Sequence, residues 1–525
     1  MSASVAGSQT PRSQQAPLGT VDFAISCSAQ SQSAFNRAVA LLHHMTYPQA
    51  RDAFDAIARS EPRCAMAHWG VAMTLFQPLW PTRPGPEDLR RGWAATQRAR
   101  ALGPLSERER MFLAAAEAFF QEPASSDYWA RIRRWDAALE RLHRAFPDDP
   151  EAIAFRALAV LGLAPAGGSP RADADRAAEL LLTVYRRNPD HPGAVHYLVH
   201  ANDVTGREHD SPEIVRTYEA VAPRNPHALH MPTHIYTRLG DWEAVIRGNL
   251  RAAEAALDHP AGDRGQFVWD EFPHAIEYLI YAHLQRGEDD AAAAQSARLR
   301  GTARLQPSFK TAFHLASTAA RFALERGAWA EAMALPVREP STLDWDQFKW
   351  PEAVVWFAKG LGAARAGRLD AARAAERRLT ELETTSLGAG EEIFTRNIRI
   401  LRLGVSAWIA HGAGQRDSSV ALMRAATDLE VATPKHAVTP APTLPAHELL
   451  GDLLLAQAQP APALDAYRRS LELYPRRLNS LLGAARSARA ARDTVTARSY
   501  YRELLEVAGA GTRRAIVEEA RTYRP

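Results

Sequence analysis

Apolar positions along this chain recur at steps of three and four residues, in segments closed by Gly- or Pro-marked turns. That spacing keeps one face of a helix, whereas a strand would alternate every second residue. Strand signals are essentially absent, so the pattern predicts an all-α chain. The segments come in pairs. A small residue is followed four positions later by a large one, and eight further on by Pro: Ala50, Phe54 and Pro62, then Ala138, Leu142 and Pro150. The order returns as Ala177, Leu181 and Pro189, and as Ala463, Tyr467 and Pro475, with Tyr501 lying 34 residues after Tyr467. The small residue lets the second helix approach the first, the large one fills the gap between pairs, and Pro stops the helix. Gly supplies the tight turn inside a pair in LGDW (Leu239 to Trp242), QRGED (Gln285 to Asp289), ERGAW (Glu325 to Trp329) and ARAGRLD (Ala364 to Asp370).

A 34-residue period with this order is the tetratricopeptide pattern. The expected fold is therefore a helix-turn-helix solenoid wound as a right-handed superhelix, with eight or nine pairs, some degenerate. Further units fall at about 227–258, 273–305, 313–335 and 352–384. The expected organisation is a disordered Ser/Gln/Pro-rich tail over 1–19, the array over 20–508, and a C-terminal helical extension over 509–525. Two irregular stretches interrupt the array. One spans 76–104 around QPLWPTRPGPED, too Pro-rich for regular helix, and the other is the strap TPKHAVTPAPTLP at 433–445.

Composition narrows the partners. Sixty-three Lys and Arg against 60 Asp and Glu leave a net charge of +3, with no basic stripe of the kind that binds nucleic acid. No apolar run approaches the ~18 residues of a membrane span. The N-terminal tail lacks the apolar core of a signal peptide, so the expected compartment is the cytoplasm. Cys27 and Cys64 are the two cysteines, which is too few for a disulfide framework or a Cys-based zinc module. Cys27 is read as a small apolar residue.

The sharpest chemical signal is a histidine stripe. Numbering three consecutive repeats from their own turns puts positions 2, 5, 9 and 12 of the first helix on one face, the face that lines the concave groove of such arrays. In HPGAVHYLVHAND these positions hold His196, His200 and Asp203; in PHALHMPTHIYTRLGD they hold His227, His230 and His234; in FPHAIEYLIYAHLQRGE they hold His274, Glu277 and Tyr281. With 18 His in 525 residues, composition alone would put fewer than one His in these nine positions. Histidines at i and i+4 can share one ion, with neighbouring helices completing the shell. Imidazole suits Cu, Fe, Zn and Ni, and a His-dominated set leans towards copper or iron, with zinc possible. Asp203 and Glu277 are expected as ligands or as acceptors that orient imidazoles, and Tyr281 as a ligand, proton donor or redox partner. Pro232 falls between His230 and His234, where it should break the helix. A broken local rule among clustered polar residues marks a functional site.

Other candidates are weaker. His43 and His44 end the first helix, where they suit its C-terminal dipole; His68 is expected to pack. His436 in the strap, with Glu448 and Asp452 on the next helix, could reach the groove. HExxH, GxSxG and P-loop motifs are absent.

The phrases ALLHHMTYPQA, CAMAHWGVAM, HPGAVHYLVH, PHALHMPTHIYTRLGDW and KHAVTPAPTLPAHELLGDLLL resemble a group of bacterial tetratricopeptide-repeat proteins over about Thr20 to Ala508. That resemblance implies the helical-repeat fold and carries over no catalytic residue. The chain departs from it at His68, where Tyr is expected, and at Ala437, where Pro is expected.

Two functions follow from these residues. In the first, the His cluster holds a transition metal in an enzyme acting on a small molecule or peptide, with Tyr281, Glu277 or Asp203 handling protons. In the second, the groove is a non-catalytic scaffold that grips a protein or peptide partner through its imidazoles.

Overall fold

The computed structural model describes residues 16–80, 83–125, 127–167, 169–210, 212–262, 265–389 and 391–524. The protein is an all-α helical-repeat solenoid. Its backbone divides into two compact units, one holding residues up to Ile235 with Arg251–Trp269, the other Tyr236–Leu250 with Asp270 onwards.

The first unit contains α1 (Ala29–His43), α2 (Tyr47–Ser60), α3 (Ala65–Met73), α4 (Pro86–Ala101) and α5 (Glu107–Phe120). It continues with α6 (Tyr128–Ala145), α7 (Pro150–Gly167), α8 (Pro170–Arg187), α9 (Pro192–Asn202), α10 (Pro212–Val221) and α11 (Pro226–His230). The chain division passes through α12 (Pro232–Leu239) and α13 (Trp242–Leu257). The second unit contains α14 (Glu271–Gln285), α15 (Asp289–Gly301), α16 (Phe309–Leu324), α17 (Trp329–Ala334), α18 (Lys349–Arg365) and α19 (Leu369–Gly388). It ends with α20 (Glu392–Gly412), α21 (Arg416–Val431), α22 (Ala446–Ala456), α23 (Pro460–Leu473), α24 (Leu478–Ala490), α25 (Thr494–Val507) and α26 (Ala515–Thr522). Counting α11 and α12 as one broken helix, these make twelve pairs and a terminal helix among the described residues. The excess over eight or nine comes from pairs such as α9 with α10 and α20 with α21, which pack without the full small–large–Pro signature.

The packing logic of the repeat is visible in side chains. Ala50, Phe54, Ala177, Leu181, Ala463 and Tyr467 are all buried. A Cβ on Gly70 would strike the Phe54 ring, and one on Gly451 would come within 2.8 Å of the Tyr467 ring. The large residue of one helix thus occupies the space that a missing side chain on a neighbouring helix leaves free. In the first unit Phe23, Phe35, Trp69 and Phe112 form a ring cluster, with centroids 4.6 Å apart for Phe23 and Phe112. The expected turn glycines Gly240 and Gly287 have φ of +67° and +69°, a left-handed conformation that Gly adopts without steric cost.

Three expectations need correction. Residues 1–15 of the expected tail lie outside the described residues, but Ala16 and Leu18 are buried, and Thr20 N–H donates to the Asp190 carbonyl at 2.9 Å. The stretch 76–104 is irregular only in its first part, because Pro86 sits in the first turn of α4, where its missing N–H costs nothing. Cys27 and Cys64 form a disulfide, their Cα atoms 5.4 Å apart, so Cys27 is a cross-link and not a packing residue. The strap at 433–445 is non-helical as expected. No described helix is long and apolar enough to cross a membrane.

Candidate metal centre

Two helices of the first unit set up the site. The α9 helix opens on His191, whose Nδ1 accepts the Ala194 N–H at 3.1 Å, with Pro192 in the first turn. The next ten residues are almost wholly buried, so its histidines point into the protein. The α11 helix opens on Asn225, whose side chain accepts the Ala228 N–H at 3.0 Å. It ends at His230, because Pro232 has no N–H to return to the preceding turn. The helix restarts as α12, and the Thr233 hydroxyl donates to the His230 carbonyl at 2.6 Å across the break.

His196, His200 and His227 converge through one atom each. The Nε2 atoms of His200 and His227 lie 3.1 Å and 3.0 Å from His196 Nε2. His196 is buried and its Nδ1–H donates to the His43 carbonyl at 2.5 Å, which leaves a lone pair on Nε2. Burial, and then the neighbouring His227 and His200, hold His196 well below the usual histidine range and therefore neutral. Tyr218 stacks on the His196 ring at 5.3 Å, and Trp80 lies 5.4 Å from the His227 ring. Side-chain orientation here is fixed by packing as well as by hydrogen bonds.

One turn further on, His230 Nε2 and His234 Nε2 are 2.9 Å apart. His234 Nδ1–H donates to Asp203 Oδ2 at 2.9 Å, which turns its Nε2 towards His230. Asp203 follows His200 directly after α9, so the helix that carries two imidazoles of the first group also orients one of the second.

A third group, His43, Glu151 and His191, is closed by its own hydrogen bonds. Glu151 accepts from His43 Nε2–H at 2.7 Å and from His191 Nε2–H at 3.1 Å. The remaining nitrogens accept from the Tyr197 hydroxyl at 3.0 Å and the Ala194 N–H at 3.1 Å. Burial works to raise the Glu151 carboxyl, but the two histidines beside it overcome that and hold it far below the usual range. With every nitrogen engaged, this group is a brace: it holds His43, whose carbonyl fixes His196.

In the second unit the remaining stripe residues meet partners that sequence reasoning did not supply. His314 Nδ1–H donates to Glu277 at 2.5 Å, and His314 Nε2 accepts from His274 Nδ1–H at 3.0 Å. Glu277 also accepts from the Ser317 hydroxyl at 2.6 Å and from Arg321 Nε at 3.0 Å. Burial would raise its carboxyl, yet His314 and Arg321 hold it below the usual range. Arg321 in turn donates to the strap, reaching the Pro442 carbonyl at 2.9 Å and the Thr439 hydroxyl at 2.9 Å. Tyr281 accepts from Arg477 at 3.0 Å, and burial pushes its hydroxyl above the usual range. His436 packs between Trp350 and Phe394, with centroids 5.6 Å and 5.9 Å away, and burial pushes it down to about 3. Glu448 pairs with Arg477, and Asp452 accepts from the Tyr467 hydroxyl at 2.6 Å.

The stripe thus brings together His196, His200 and His227, and separately His230 and His234 with Asp203. Glu277 and Tyr281 are each tied to an arginine. The His314, Ser317 and Arg321 set was legible in principle, since the three lie at steps of three and four on the next repeat helix. Glu151 was not, because a Glu beside Pro150 at a helix start reads as ordinary dipole complementation.

No family profile matches the chain, and no curated protein matches it. Similar solved structures include the Cut9–Hcn1 hetero-tetramer of the APC/C, at 13% identity over 94% of this chain and 96% of that one, with a TM-score of 0.28. The human IFIT1 dimer with m7Gppp-AAAA is similar at 12% identity over 84% of this chain and 90% of that one, TM-score 0.39. The human IFIT1 dimer with PPP-AAAA is similar at 13% identity over 92% and 96%, TM-score 0.40. No ligand or partner is carried over from them.

Proposed function

We propose that this helical-repeat protein holds a transition-metal ion on the Nε2 atoms of His196, His200 and His227, as the working centre of a reaction on a small-molecule or peptide ligand. The observation that supports this is the convergence of three imidazoles whose nitrogens lie 3.0 Å and 3.1 Å from His196 Nε2. Two nitrogens about 2.0 Å from a tetrahedral ion lie about 3.3 Å apart, so small ring movements would accommodate one. His196 is already in the ligating tautomer, because its Nδ1–H is spent on the His43 carbonyl. When an ion binds, His200 and His227 carry their protons on Nδ1.

Three histidines leave a coordination position for water or substrate, the pattern of a catalytic and not a structural site. An all-imidazole shell favours copper or iron, with zinc able to occupy the same set. The Glu151 brace keeps His196 aligned through His43.

Elemental analysis of the purified full chain should find copper, iron or zinc near stoichiometry. His200→Ala/His227→Ala should lose the equivalent bound at this group while far-UV circular dichroism stays helical. Protein that takes up none of the three metals on reconstitution would overturn the reading and leave a polar groove for a peptide partner.

A further inference from the structure

We infer that the first unit carries a second transition-metal site beside the first, on His230 and His234, so that the protein holds a dinuclear centre. The inference rests on the metal reading above and extends it. His230 and His234 face each other through Nε2 at 2.9 Å, the same mode of approach as in the first group. His234 has the carboxylate–histidine arrangement that selects a ligating tautomer, with Asp203 accepting at its Nδ1. In the first group the acceptor at His196 Nδ1 is the His43 carbonyl. Each group therefore has its own orienting partner, which a single site with spare histidines would not need.

The two groups are adjacent. His227 and His230 lie on one face of α11 with ring centroids 6.4 Å apart. Imidazoles at that spacing can hold ions within the reach of one shared solvent ligand, as in two-metal sites with ions about 3.5–4 Å apart. The Pro232 break serves this arrangement by separating His230 from His234 with a fresh helix start. Burial excludes water from most of the set, since His227, His230 and His234 are all buried. The second site takes a first-row transition ion on these imidazoles.

The test is titration of the metal-stripped full chain with Cu²⁺, read by equilibrium binding and by X-ray absorption. Two equivalents should bind, with a metal–metal scatterer at about 3.5–4 Å. His230→Asn should retain one equivalent and lose that scatterer, and His200→Asn should also retain one. A single equivalent that His230→Asn keeps and His200→Asn loses would overturn the second site while sparing the first. No binding at all would overturn both. The scatterer is read on the unaltered protein, so it stands even if a variant fails to fold.

Discussion

Glu430 is a buried carboxyl in the last turn of α21, where the helix dipole opposes negative charge. It accepts the Ala446 N–H at 3.1 Å, and the Tyr474 hydroxyl lies 3.5 Å away. Burial dominates and pushes it up to about 8, despite the backbone donor and the nearby Arg477. Because its folded value lies above the unfolded one, folding takes up a proton between roughly pH 4.5 and 8. The stability it contributes is complete below the unfolded value and is lost as pH rises through the folded one. Thermal stability should therefore fall as pH rises from about 5 to 8, by a few kcal/mol at most. Glu430→Gln, which keeps an acceptor for the Ala446 N–H, should flatten that slope. An unchanged slope in the variant would place the proton elsewhere. Asp203 and Glu277 each accept from a histidine, and each was legible as an acceptor because it shares a helical stripe with the imidazoles.

Elements were legible to the degree that their ends carried chemical signals. Pro232 announced the break between α11 and α12, and the turn glycines announced most second-unit pairs. The α4 helix was missed because Pro-rich sequence precedes it and Pro86 itself opens it. The links between elements were less visible, since they join residues far apart in the chain. Arg477, just before α24, donates to Glu448 of α22 at 2.8 Å and 3.0 Å, to Glu325 after α16 at 2.9 Å, and to Tyr281 of α14 at 3.0 Å. It is fully buried, and the carboxylates are nearly so. One cation thus compensates two anions across three repeats. Arg477→Met keeps much of the volume and removes the charge, leaving Glu325 and Glu448 without their main counter-ion. The expected loss is about 3–5 kcal/mol in denaturant unfolding. Arg477→Met with both glutamates changed to Gln should recover part of it, since the cost lies in unpaired buried charge. A variant as stable as the parent would mean that water or a neighbouring cation satisfies the glutamates.

At the scale of the whole chain, a repeat array spreads stability over near-neighbour contacts, so a single long-range cross-link has an outsized local effect. The Cys27–Cys64 bond is such a link: it ties the segment before α1 to the start of α3 across a sequence separation of 37. Two cysteines carry no pattern from which a pairing can be read, which is why the sequence offered no sign of it. The same segment supplies the Leu18 carbonyl that accepts from His44 at 3.0 Å, one residue from the histidine that fixes His196. Closing a loop of that length removes about 3–4 kcal/mol of unfolded-state entropy in the chain-entropy picture. Reductant, or Cys27→Ser/Cys64→Ser, should therefore lower the thermal midpoint of the first unit. It should also lower metal occupancy at His196, because the brace loses part of its anchoring. The bond bears on compartment as well, since disulfides persist in oxidising surroundings and are rare in the cytosol. Thiol titration of protein isolated without reductant under denaturing conditions separates the cases. No reactive thiol would place the chain in an oxidising compartment, against the cytoplasmic expectation. Two reactive thiols with an unchanged midpoint would show that Cys27 and Cys64 pack without bonding, and that the His196 brace stands without the link.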